Sequence, residues 1–206
     1  MPIDALFLTA LTEELRPRAL GCRVDKVQQP ARDTVILNLR GPGGGGRLLL
    51  TASPNHPRIH FTDIPQENPA QPPMFCMLLR KHLVGGKLTG ISQPRMERLV
   101  DLAFDCTDEM GSPVQKHLIL EIMGRNSNLI LTGGDGRILD CLRRVDLEMS
   151  AERQVLPGLY YHEPPRQPKQ EIFSQTPASV LALLQSWPEG KPLDQWLLET
   201  FGGLSP

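Results

Sequence analysis

Aromatic residues are scarce in this sequence, at 5% of 206 residues, with only two tryptophans and two tyrosines. That scarcity excludes a broad stacking platform for single-stranded nucleic acid. An excess of one charge is also missing. The formal net charge of −1 excludes a uniformly basic nucleic-acid binder and leaves room only for a local patch. No apolar run approaches the roughly 20 residues that a bilayer-spanning helix needs. The four cysteines, Cys22, Cys76, Cys106 and Cys141, form no CxxC pair, so neither a zinc knuckle nor a redox dithiol is encoded.

Catalytic signatures are lacking too. His56, His60, His82, His117 and His162 are scattered, with no HExxH and no cysteine neighbours to supply metal geometry. There is no GxSxG, no P-loop and no GxGxxG after a strand. The glycines at 43–46 lack a following Lys-Ser/Thr and read as a hairpin turn rather than a phosphate cradle. Pro2 would become an N-terminal amine nucleophile if Met1 were removed, but many chains begin Met-Pro. The N-terminal stretch MPIDALFLTALTEELRPRAL has no basic leader and carries Asp4, Glu13 and Glu14, so it reads as a mature helix in a reducing cytoplasm rather than a secretory signal. These absences predict a non-enzymatic chain with no metal and no cofactor.

What remains is the texture of a folded protein, 40% hydrophobic and 22% charged. Twenty prolines and 18 glycines fall short of low complexity and punctuate many turns. Asp4 is placed to cap a first helix, with Leu6, Leu8, Leu11 and Leu15 as its apolar stripe and Pro17 as its end. Cys22, Val24 and Val27 open an alternating segment. TVILNLR and RLLLTAS, joined by GPGGGG, form a β-hairpin, and RIHFT is a further strand. Prolines 72 and 73 before MFCMLLRKHL and glycines 85 and 86 after it bracket a second helix. RLVDLAFDC, KHLILEIM, NLILT and RILDC then follow at hairpin spacing. The expected fold is α+β, mostly antiparallel sheet with packed helices. EPPRQPKQE has the composition of a linker, and Thr176–Pro177 and PLDQWLLETF begin two more helices. The expected organisation is one domain over 1–170 and the first helices of a second over 171–206, continuing past residue 206.

Charge is unevenly distributed. Arg80, Lys81, Lys87, Arg95 and Arg98 face only Glu97 in one stretch, whereas Asp101, Asp105, Asp108 and Glu109 follow without a base. Sixteen of the 22 basic residues are arginine, whose planar fork suits phosphate; an ordinary solvated face is the alternative. MGRNSN at 123–128 reads either as a donor-rich cluster able to bridge RNA groups or as a turn bonding its own backbone. Glu97–Arg98 reads either as an exposed ion pair worth about 0–1 kcal/mol or as an acceptor and a fork offered to RNA.

Five stretches occur together and in order: GCRVDKVQQP (21–30), PPMFCMLLRKHLVGGKL (72–88), ISQPRMERLV (91–100), LEIMGRNSNLIL (120–131) and LPGLYYHEPPRQPK (156–169). Together they resemble the N-terminal domain of the RqcH/FbpA/NEMF family, the NFACT proteins, over about residues 2–170. The resemblance implies a sandwich-like fold similar to the N-terminal domain of formamidopyrimidine-DNA glycosylases. It does not imply their chemistry, because Pro2 is followed by Ile3 rather than glutamate. It implies binding to the large ribosomal subunit carrying a stalled peptidyl-tRNA. It also implies recruitment of tRNA, alanyl-tRNA in bacteria, for alanine tailing that marks the chain for degradation. The family's N-terminal aspartate falls on Asp4 and its Asp-Arg pair on Glu97 and Arg98. Its GRHSN motif falls on Gly124–Asn128, with Asn126 in place of histidine. Asp4, Glu97 and Arg98 are therefore the leading candidates for tRNA contact, then Arg125, Asn126 and Asn128, with Arg80 and Lys81 as phosphate neighbours. The family's older name supplies another reading, a fibronectin-binding adhesin. A general protein-interaction module is the third.

Overall fold

The structure, a computed structural model, describes residues 3–205; Pro2 lies outside them. Helix α1 (Ala5–Ala19) starts where expected, with the Asp4 carboxylate accepting the Phe7 N–H at 2.7 Å. Pro17 does not end it: the helix runs on to Ala19 with the proline inside. Its buried face is Ala5, Leu8, Thr12, Leu15 and Ala19, while Leu6 is 41% exposed. The stripe is thus rotated from the leucine row towards the alanines, and Thr12 satisfies its hydroxyl on the Thr9 carbonyl.

Nine strands follow: β1 (Arg23–Ala31), β2 (Thr34–Arg40), β3 (Gly46–Thr51), β4 (Arg58–Thr62), β5 (Lys87–Ser92), β6 (Leu99–Thr107), β7 (Pro113–Glu121), β8 (Asn128–Gly133) and β9 (Ile138–Cys141), with α2 (Met74–Leu83) between β4 and β5. They form one antiparallel sheet in the order β4-β3-β2-β1-β5-β6-β7-β8-β9. Two meanders are therefore joined at a narrow seam. The β1–β5 register holds only Arg23 against Lys87, extended by Val24 N–H to Gly86 and Leu88 N–H to Cys22. The glycine run closes the β2–β3 hairpin, and Gly45, at φ 62, brings its Cα so close to Leu39 that a Cβ would strike that carbonyl.

A single buried cluster draws on both meanders, α1 and α2; it includes Leu8, Leu37, Leu79, Phe104, Leu118 and Leu131. The sheet is strongly curled around it. In a flat sheet β3 and β8 would lie about 30 Å apart, yet Ala52 and Pro54, just after β3, and Arg125 and Ser127, just before β8, border the same depression. This is the expected α+β architecture, built as one curled sheet.

A second cluster covers the outer face of the later meander, where Leu99, Ile119, Ile130 and Ile138 pack beneath Val155. The cover is a strap over residues 142–162, tied by bridges from Val145 to Val155 and from Arg137 to Tyr160. At its centre Glu121, 1% exposed, receives two N–H groups of Arg153 and the Tyr161 hydroxyl at 2.9 Å. Burial, then the Glu121 charge, pushes the Tyr161 phenol far above its ordinary value, so it remains a donor. The chain continues through 163–170 to α3 (Pro177–Gln185) and α4 (Leu193–Thr200). Trp196 and Phe201 are buried edge-to-face at 5.4 Å, Gln170 bridges Phe201, and the Gly203 carbonyl returns to the Ala5 N–H at 2.8 Å.

Arg153→Ala leaves Glu121 charged and unpaired in the interior, so urea unfolding should show a loss of about 3–5 kcal/mol. The double change Glu121→Leu with Arg153→Met should cost far less, because no buried charge is then left alone.

Candidate nucleic-acid interface

Residues 93–98 form a tight turn between β5 and β6, and within it Arg95 and Met96 both adopt left-handed backbone, at φ 44 and 57. Each such non-glycine residue costs about 1–3 kcal/mol and persists only where its surroundings over-determine it. The surroundings do so here. The Gln93 side-chain amide donates to the carbonyls of Ala5 at 2.8 Å and Glu97 at 2.9 Å, while the Thr9 hydroxyl donates to its oxygen at 2.7 Å. The first turn of α1 and the 93–98 turn are thereby clamped together, with Gly203 packed against Ala5 and Met96.

The clamp presents Glu97 and Arg98, both half-buried, to a groove of about 370 Å³. Its opposite wall is the Pro-rich segment, with Arg166 and Lys169. Burial pushes the Glu97 carboxyl above its usual range; Arg166 opposes this, Glu163 adds to it and Arg98 opposes it weakly. Among the described residues neither Glu97 nor Arg98 forms an ion pair. The two side chains therefore stand as an acceptor and a fork beside a ligand-sized groove, not as a mutual pair.

Past Met123, Pro164 and Pro165 the groove continues into a depression of about 420 Å³ that reaches Asn126 and Arg143. The Gly124–Asn128 motif is a 3-10 turn whose members diverge. Asn126 and Arg125 are exposed. Asn128 is 2% exposed, and its amide donates to the Arg143 carbonyl at 2.7 Å and accepts from the Arg143 N–H at 2.9 Å. Asn128 thus builds the sheet end and holds Arg143.

Asp4 lies at the corner that contains the 93–98 turn, its carboxylate engaged as the α1 cap. Arg80 and Lys81 do not reach the groove. The Arg80 guanidinium donates to the Val27 carbonyl at 2.9 Å, and Lys81 pairs with Glu109 at 2.8 Å. Glu109 lies beyond the far end of β6, a strand of nine residues and so about 30 Å long. The lysines of the basic stretch lie beside the acidic one after it, for Lys87 also stands opposite Asp105 across the β5–β6 ladder. Arg166 and Lys169 were not among the residues singled out from sequence. Their signal was the pair of cations in EPPRQPK, a stretch whose composition reads as spacer.

A model of NFACT N-terminal and middle domains matches residues 4–206. The chain belongs to that family. It is 39% identical along 100% of its length to the protein named Rqc2 homolog RqcH from Bacillus subtilis, of which it covers 36%. It is 34% identical over 66% of its length to the human ribosome quality control complex subunit NEMF, covering 12% of that protein. The chain thus spans about a third of the bacterial NFACT relatives it matches. Among solved structures, the N-terminal domain of fibronectin-binding protein PavA from Streptococcus pneumoniae superposes with a TM-score of 0.90 at 33% identity, over 98% of this NFACT chain and 75% of that one. The fibrinogen binding protein from Staphylococcus aureus gives 0.84 at 32% identity, over 100% and 72%. Among the described residues, no helix is long and apolar enough to cross a membrane, and no three His, Cys, Asp or Glu side chains converge as a metal site.

Beside the groove, His117 Nδ1 meets both Asp101 carboxylate oxygens at 3.0 Å, and that hydrogen bond raises the imidazole above its ordinary value against the opposing effect of burial. A raised histidine contributes stability fully below its unfolded value of about 6.5 and loses it as pH climbs through the folded one. The wild type should therefore be more stable than His117→Gln at about pH 5.5, and the gap should close towards about pH 8.5 in urea titrations.

Proposed function

We propose that this chain is the part of a ribosome quality-control factor that contacts tRNA and the large ribosomal subunit. The factor recruits alanyl-tRNA to a subunit carrying a stalled peptidyl-tRNA and supports untemplated alanine tailing that marks the nascent chain for degradation. It acts in the cytoplasm and by binding alone, without a catalytic group. The observation that carries this reading is the unpaired Glu97–Arg98 dyad, held by a strained, clamped turn and faced across a groove by Arg166 and Lys169. A fork and an acceptor on a rigid turn, faced by Arg166, which pairs with Glu163 at 3.3 Å, and by Lys169, whose Nζ donates to the Leu198 carbonyl at 2.7 Å, suit a folded RNA, whose backbone is positioned by cations and whose base edges are read by forks and acceptors. The names of the relatives, Rqc2 homolog RqcH and ribosome quality control complex subunit NEMF, support the ribosome quality-control part of this reading.

Asn126, in the continuation of the groove, extends the candidate contact surface with donor and acceptor capacity but no titratable ring. The solved relatives named for fibronectin or fibrinogen binding favour a second reading, an adhesive protein surface. Salt separates the two, since RNA binding weakens steeply through counterion release.

The test is sequencing of RNA that co-purifies with the full-length protein, wild type beside Arg98→Ala. One tRNA class and large-subunit rRNA should be enriched, with the tRNA lost selectively in the variant. Removing a bidentate fork should cost about 1–3 kcal/mol of tRNA affinity. Equal, non-selective RNA in both preparations would reject the reading.

A further inference from the structure

A second basic depression lies at the far side of the Gly124–Asn128 turn, where the two meanders of the sheet meet. It encloses about 570 Å³ and is lined by Arg32, Arg125, Arg143 and Arg144 against a single acid, Asp33. The four arginines come from the β1–β2 turn, the 3-10 turn and the segment after β9; the last two are neighbours at the β8–β9 end, and the curl of the sheet brings Arg32 to them. Each segment is fixed in place. Gln29 donates to the Arg32 carbonyl at 3.0 Å, the Ala52 N–H bonds the Asp33 carbonyl at 2.8 Å, and Asn128 grips both backbone groups of Arg143. Arg143 in turn donates to the Arg125 carbonyl, which ties the 3-10 turn to the segment after β9.

Several arginines elsewhere are spent within the fold. Arg16 and Arg18 bond the carbonyls of Ile91 and Gly45, Arg80 that of Val27, and Arg153 joins Glu121. Here Arg32, Arg125 and Arg144 are exposed, and their only ion pair among the described residues is a long one of 3.7 Å from Arg144 to Asp140. The 3-10 turn divides its polar side chains between two sites: Arg125 lines this depression, and Asn126 lines the continuation of the Glu97–Arg98 groove. The two depressions share Arg143 and Met149, so one ligand can track from one to the other.

We infer that this arginine depression is a second RNA site, distinct from the Glu97–Arg98 groove, that takes the phosphodiester backbone of a structured RNA without reading its sequence. Arginine forks match phosphate bidentately. No aromatic side chain lines the depression, so it offers no aromatic platform for bases and favours the backbone as the group recognised. A stacked A-form helix, with its phosphates outward and its bases enclosed, is the RNA that offers this chemistry. The inference rests on the RNA-binding reading above but uses no contact at Arg98.

The test is fluorescence anisotropy with the full-length protein and an RNA duplex of arbitrary sequence, about 16 base pairs long, between about 50 and 200 mM salt. The variant carries Arg32→Gln, Arg125→Gln and Arg144→Gln, and the charge-matched control carries Arg40→Gln, Lys81→Gln and Lys191→Gln. The variant should lose at least about tenfold in affinity and about two units of the salt slope, while the control binds like wild type. Thermal melting verifies that both fold, and an Arg→Lys version of the three positions should restore the slope. Duplex binding that is undetectable in wild type, or equally weakened in variant and control, overturns the inference. So does displacement of the duplex by polyglutamate of matched charge as readily as by unlabelled duplex, which would assign the site to an acidic protein. Arg98→Ala titrated with tRNA in parallel reports on the first groove alone, so failure there rejects the tRNA contact and leaves the duplex result to stand or fall by itself.

Discussion

A carboxylate sealed inside a protein must be paired, and the pairing of Glu121 with Arg153 and Tyr161 is the constraint on which the rest of this structure depends. Glu121 ends β7 on the outer face of the sheet, where the strand's own pattern offers nothing to neutralise it. Its partners arrive from the strap, so satisfying the charge seats the strap. The seated strap covers Leu99, Ile119 and Ile130 and completes the second apolar cluster. Arg153 also bonds the His162 carbonyl at 2.6 Å. That bond fixes the point from which Pro164, Pro165 and Arg166 set out to form the opposite wall of the Glu97–Arg98 groove. An interior charge pair and an exterior groove wall are consecutive links in one chain of contacts.

The same residue type serves both ends of that chain. Arginine keeps its charge under all conditions of interest and can satisfy a carbonyl as readily as a carboxylate. The fold uses this repeatedly: Arg16, Arg18 and Arg80 bind backbone oxygens, and Arg18 also stacks on Phe61 at 4.1 Å. A composition rich in arginine is therefore a poor guide to nucleic-acid binding by itself. What distinguishes Arg98 and Arg125 is that the fold leaves their guanidinium groups without such partners among the described residues while fixing the backbone beneath them. Lys81 and Lys87 illustrate the converse, since the fold sets them beside Glu109 and Asp105 of the acidic stretch that follows.

Much of the fold was legible because it is local. Alternation in β6 placed Val100, Leu102, Phe104 and Cys106 on the core face, and the glycine run marked the β2–β3 turn. Asp4 announced its helix by the chemistry of an N-cap. The misreadings are also physical. Pro17 lacks an N–H to donate but sits close enough to the end of α1 that the helix persists two residues past it. Leu6 belonged to a leucine stripe by spacing, yet tight packing of α1 selected the small residues Ala5 and Ala19 for contact. The Glu121–Arg153 pair spans 32 positions, and a lone glutamate in LEIM gives no sign that its partner lies in a later strap. Of the site residues, Glu97 and Arg98 were placed together on one groove by the fold, with Asn126 in its continuation. Arg80 and Lys81 were not, because neighbouring in sequence across a helix and a strand does not mean neighbouring at one end of the sheet.

The backbone strain at Arg95 and Met96 bears on how the groove would discriminate among ligands. Two consecutive left-handed residues cost roughly 2–6 kcal/mol together, and nothing in local sequence preference offsets that. The offset comes from Gln93, Thr9 and the packing of Gly203, which draw on α1, the turn and the C-terminal residues at once. A turn held by three separate parts of the chain loses little further entropy when a ligand binds, and its acceptor and fork keep their spacing whether or not the groove is filled. Glutamate at position 97 gains significance in that setting. Its extra methylene, relative to the aspartate the family resemblance places there, moves the carboxylate outward on a backbone that cannot move to compensate. The change must then be absorbed by the side chain or the ligand, so a rigid turn converts one methylene into a shift of recognition geometry.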